Sequence, residues 1–95
     1  VIAADVTDVV VSLSGRDRGK YFLVVAVEGE YLFLSDGASR RVEKPKRKKR
    51  KHTQFLAHSS AAKRLQEDGK RLSNSEIRRA LAECGAVDYF DRGRN

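Results

Sequence analysis

The stretch Val9-Val10-Val11-Ser12-Leu13-Ser14-Gly15-Arg16-Asp17-Arg18-Gly19-Lys20-Tyr21-Phe22-Leu23-Val24-Val25 reads as two strands with a polar connection between them. In the first run Val9, Val11 and Leu13 fall on one side and Val10 and Ser12 on the other, the two-residue period of a strand with a buried face. Ser14 to Gly19 are polar and include two glycines, Gly15 and Gly19. Either glycine can take the positive φ that reversing the chain requires, so the pair is expected to shape the loop and turn Arg16 and Arg18 outward. Tyr21 to Val27, rich in β-branched and aromatic residues, is the second strand.

Beyond it the same pattern recurs. Glu28-Gly29-Glu30 supplies a turn and Tyr31-Leu32-Phe33-Leu34 a third strand. Ser35-Asp36-Gly37 is another turn signal, Ala38 to Val42 a short fourth strand, and His52 to Leu56 a fifth. Aromatic residues are only 7% of the chain and tryptophan is absent, so Phe22 and Phe33 are expected in the core. Four or five short antiparallel strands suggest a mainly β fold closed into a small barrel, because closure removes edges that so short a sheet could not otherwise protect.

After Leu56 the period changes. Ser59 or Ser60 can cap a short helix through Ala61 to Glu67, ended by Gly69. Ser73 and Glu76 have the spacing of a capping box, and Ile77, Ala80, Leu81 and Cys84 then fall on one face of a helix over 74–84 that Gly85 terminates. The organisation expected is a barrel over 1–56 and a helical C-terminal extension over 57–95. The stripe at 74–84 must be covered, by the barrel or by a protein partner. Of the last residues only Tyr89-Phe90 offers an anchor.

Charge is unevenly distributed. Twenty Lys and Arg against 13 Asp and Glu give a net charge of +7 over 95 residues. Residues 1–40 hold four Lys or Arg against six acids, whereas 41–58 hold eight against one. Lys46-Arg47-Lys48-Lys49-Arg50-Lys51 is six cations in succession behind Pro45, which reads as a mobile basic loop over 44–51 that repels itself until a polyanion meets it. Arg16, Arg18 and Lys20 from the first loop, with Arg40, Arg41, Lys44, Lys46, Arg47, Lys48, Lys49, Arg50, Lys51 and the adjoining His52, are therefore the candidate phosphate-binding residues, those that would contact RNA if the polyanion is RNA. The mixture of forked guanidinium groups and mobile ammonium groups suits phosphate-backbone contacts rather than a base code.

Other chemistry finds little footing. One cysteine, Cys84, permits no internal disulfide, and His52 and His58 have no Asp or Glu between Glu43 and Glu67 to complete a metal or catalytic set. Gly15 to Lys20 lacks the glycine spacing and the hydroxyl of a phosphate-binding loop. No enzymatic activity, metal or cofactor is expected. No apolar run approaches a membrane span, and Val1 to Asp8 carry no cationic leader, so a cytoplasmic protein without membrane contact is the expectation.

The segment from Val9 to Lys20, followed by Phe22-Leu23-Val24-Val25, resembles a KOW motif, with Gly15 and Gly19 at its loop glycines. Tyr21-Phe22 departs from it, since many members place a small residue there. With Tyr31 to Gly37, Arg40-Arg41 and the lysine-rich run, residues 6–56 resemble small bacterial KOW-domain RNA-binding proteins related to the fourteen-e class of archaeal and eukaryotic large-subunit ribosomal proteins. The resemblance implies an SH3-like barrel that binds ribosomal RNA of the large subunit as a ribosome-associated or assembly factor, without a cofactor. A general nucleic-acid binder and an SH3-like protein adaptor are the alternatives; the adaptor would need an exposed aromatic groove for proline-rich peptides.

Overall fold

A computed structural model describes residues 3–85. The strands are β1 (Asp8–Ser12), β2 (Tyr21–Glu28), β3 (Tyr31–Ser35), β4 (Lys46–Lys49) and β5 (Thr53–His58). A 3-10 turn at Arg50–His52 joins β4 to β5, and two helices follow, α1 (Ser60–Glu67) and α2 (Asn74–Glu83). All pairings are antiparallel, in the order β4-β3-β2-β1-β5.

The sheet is not closed, which corrects the expected barrel. Strand β4 pairs with β3 and β5 with β1, and no ladder joins β4 to β5. The edges nonetheless lie near one another. Five flat strands would hold the outer pair about 19 Å apart, whereas the four peptide links from Lys49 to Thr53 reach at most about 14 Å, so the sheet must curl. Register shifts at Val9/Val10 and Val24/Ala26 mark where extra residues let it bend. At the corner, hydrogen bonds go elsewhere: Arg50 N donates to Glu30 O at 2.8 Å, and His52 O accepts from Leu13 N at 2.8 Å. The corner thus ties the outer strands to the ends of β1 and β3 rather than to each other.

Two apolar clusters result. On one face Val10, Phe22, Val24, Leu32 and Leu34 are fully buried against one another and Ala4, with no helical residue among them. On the other, Val9, Val11, Tyr21 and Leu23 pack against Ala62 of α1 and Ile77, Ala80 and Leu81 of α2. The stripe predicted on α2 is thereby covered by the sheet of its own chain. Ser59 caps α1 by accepting from Ala62 N, and Ser73 and Glu76 form the predicted capping box on α2. Ala62 is the buried residue of α1.

Further expectations need correction. Ala38 to Val42 is not a strand: residues 36–40 form a loop around Asp36, whose carboxylate accepts from Ala38 N, Ser39 Oγ and Arg40 N at 2.7–2.9 Å. Burial works to raise the pKa of Asp36, and these hydrogen bonds outweigh it and lower it. The fourth strand instead comes from the basic run, so 44–51 is not a mobile loop but the approach to β4, β4 itself and part of the 3-10 turn. Phe33 is half-buried and belongs to neither core cluster. The expected extension to residue 95, with its Tyr89-Phe90 anchor, lies partly outside the described residues.

Candidate nucleic-acid interface

The β1–β2 loop is built on its two glycines. Gly15 and Gly19 take φ of +81° and +86°, as the reversal requires. Gly19 N donates to Ser12 O at 2.8 Å and Ser12 N to Lys20 O at 3.0 Å, closing the loop at its base. Inside, the Asp17 carboxylate accepts from Ser12 Oγ at 2.8 Å and Lys48 Nζ at 2.9 Å. Lys48 Nζ also donates to Ser14 O at 2.8 Å. Burial acts to raise the pKa of Asp17, but these hydrogen bonds and the charges of Lys48 and Lys46 prevail and lower it. With Asp17 turned in, its neighbours Arg16 and Arg18 are exposed.

The connection between β3 and β4 is held from the other side by α2. Asn74 accepts from Val42 N at 2.7 Å through Oδ1 and donates to both Glu43 carboxylate oxygens at 2.8 and 3.0 Å. The Asn74 amide, with help from Arg41, holds the Glu43 carboxyl below its usual range. Arg78 donates to Gly37 O. A buried amide and a guanidinium on α2 thus fix the segment that carries Arg40.

Between these two supports lies a groove of about 530 Å³ lined by Arg16, Lys20, Arg40 and Lys46, with Asp17, Phe22 and Ser39. Arg16 and Lys20 come from the first loop, Arg40 from the turn after β3, and Lys46 from the start of β4. Four cations from three separate stretches converge there, against one carboxylate whose Oδ1 is already engaged by Lys48. Such an array suits an extended polyanion: the guanidinium groups can fork onto phosphate oxygens and the ammonium groups act as point charges.

The remaining predicted residues are divided. Arg18, Lys44, Lys51 and His52 are exposed away from the groove lining, and Arg41 is exposed beside Glu43 at 3.7 Å. Lys48 is buried and committed to Asp17, so it is not a surface cation. Arg50 donates to Gly29 O at 3.1 Å and Ala4 O at 2.6 Å and serves the sheet corner. Arg47 and Lys49, which alternate with Lys46 and Lys48, project to the other face of β4, where they lie 4.2 and 5.9 Å from the Tyr31 ring centroid.

Sequence reasoning missed Ser39 and the Arg47–Tyr31 stack, for which residue spacing alone carries no signal. It also left His58 without a carboxylate, whereas Asp8, fifty residues away, lies 2.7 Å from His58 Nδ1. Burial, reinforced by Glu83, pushes the Cys84 thiol up, away from nucleophilic character. Among the described residues no group of three or more His, Cys, Asp or Glu is placed to hold a metal ion, and no helix is long and apolar enough to cross a membrane. No protein-family model matches the chain, and no curated protein sequence matches it significantly.

Proposed function

We propose that this chain binds RNA through phosphate contacts in the groove between the β1–β2 loop and the β3–β4 connection. The observation that carries the reading is the convergence of Arg16, Lys20, Arg40 and Lys46 from separate stretches onto one groove. A charge run that was merely solubilising would not need loops fixed by Asp17 and Asn74. The resemblance of residues 6–56 directs the reading to ribosomal RNA of the large subunit, with the chain acting as a ribosome-associated or assembly factor.

The test is the salt dependence of binding to a labelled ribosomal RNA fragment, followed by fluorescence anisotropy. The logarithm of the association constant should fall linearly with the logarithm of salt concentration, with a slope of about 0.7 to 0.9 per phosphate neutralised. Replacing Arg16, Lys20, Arg40 and Lys46 by Gln should reduce that slope by about three. Replacing Lys63 and Arg64 of α1, which lie outside the groove, should leave it nearly unchanged. A slope untouched by the groove variant overturns the reading. Equal affinity for DNA of the same sequence reduces it to general nucleic-acid binding, and sedimentation of the endogenous protein away from large subunits removes the ribosomal part.

A further inference from the structure

We propose that the outer face of β3 and β4 is a stacking site for an unpaired nucleobase, with the Arg47 guanidinium, laid over Tyr31, as its platform. The inference rests on the RNA-binding reading and adds a second surface, an orientation and a strand state. Leu23, whose side chain packs under the helices, pairs with Ser35. Paired residues share a face, so Phe33 and Tyr31, two and four residues before Ser35, lie on the face that the helices cover over β1 and β2. The cluster on that face takes no residue from β3 or β4. Past the edge of the helices, two half-buried aromatic rings therefore remain without a covering helix among the described residues.

The cations on this patch are placed by register. Arg47 pairs with Phe33 and Lys49 with Tyr31, so both basic side chains stand on the aromatic face while Lys46 and Lys48 point to the other. The Arg47 guanidinium carbon lies 4.2 Å from the Tyr31 ring centroid, within stacking distance, and Lys49 Nζ lies at 5.9 Å. Arg47 is exposed, and the base would lie on the side of its guanidinium away from Tyr31. A planar cation backed by a ring presents what an unstacked base accepts, and a guanidinium stacks where an ammonium does not. A base inside a duplex offers no such free face. On the β2 side Glu28 pairs with Tyr31, so the phosphate chain of the bound strand should run along β4, past Lys49 and away from Glu28.

The test compares Arg47→Lys, which keeps the charge and removes the planar platform, with wild type. Binding of a single-stranded RNA twelve-mer containing 2-aminopurine and of a blunt RNA duplex is measured by anisotropy and by 2-aminopurine fluorescence. Wild type should quench the fluorophore, and Arg47→Lys should weaken single-strand binding about five- to tenfold and abolish the quenching. Duplex affinity and the salt slope should be unchanged. Tyr31→Leu should reproduce the loss with both cations intact. Unchanged quenching and single-strand affinity in both variants overturn the stacking site; if the four-residue groove variant still weakens both ligands, the RNA-binding reading stands without it. Failure of wild type to bind either RNA overturns both.

Discussion

Lys48 Nζ and Asp17 Oδ1 are 2.9 Å apart, with the two side chains about nine-tenths buried. The pair joins the third residue of an edge strand to the loop that presents Arg16. Lys48→Met should cost about 3–5 kcal/mol, because it leaves a buried carboxylate without its cation. Adding Asp17→Asn should recover much of that loss. Lys49→Met, on the outer face of the same strand, should cost less than about 1 kcal/mol. Urea unfolding of the three variants measures the differences.

The same carboxylate sets an acid limit. Its pKa is lowered by folding, so the stability it contributes is present above the unfolded-state value near about 4 and is lost as pH falls through the lower folded value. Wild-type melting temperature should therefore decline more steeply below about pH 4 than that of Asp17→Asn. Melting curves between pH 7 and pH 2 give the comparison, and parallel curves would show that Asp17 is not a main source of the acid sensitivity.

Gly37, in the β3–β4 connection, packs closely against Asn74 and Arg78 of α2. A Cβ there would stand 2.3 Å from Asn74 O, on a backbone with φ of +73°. Gly37→Ala should cost about 2–5 kcal/mol from strain and overpacking together. At Gly29, φ is +59° but nothing lies within 4 Å, so Gly29→Ala should cost about 1 kcal/mol. Chemical denaturation of both variants tests the order.

Ile77 is fully buried between α2 and the sheet. Ile77→Asp should lower stability by at least about 3 kcal/mol by placing a charge in an apolar contact. Thermal melting checks this. A variant that melts like wild type would mean that α2 does not hold its place on the sheet.

The first three strands were legible because Val9–Val11, Tyr21–Val25 and Tyr31–Leu34 alternate or run apolar between glycine-bearing turns. The helices were legible from Ser59, Ser73, Glu76 and the stripe through Ile77 and Leu81. Strand β4 was not, because six successive cations offer no apolar alternation. Its inward position at Lys48 depends on Asp17, thirty-one residues earlier in the chain. Phe33 lies outside the core for a related reason: in Tyr31-Leu32-Phe33-Leu34 the alternation allows either pair inside, and the pairing of Leu34 with the buried Val24 sets the leucines inward, while the extra residue Val25 keeps Val27 on their side. At the groove, the basic residue types were visible in the sequence, while the separation of Arg16, Lys20, Arg40 and Lys46 from Lys48 and Arg50 follows from tertiary register.

Strand β4 also leaves one row of backbone N–H and C=O groups facing outward at the end of the sheet. Such a row is a template on which a second chain could add a strand, and hydrophobic strands in that position invite aggregation. Here every residue of the strand is Lys or Arg, and one of them points its charge into the protein. Two copies brought edge to edge would set like charges against each other at every step. The basic run therefore guards the colloidal behaviour of the chain, and charge-neutral replacements of Arg47 and Lys49, with Lys48 kept for Asp17, should leave a protein that folds yet self-associates.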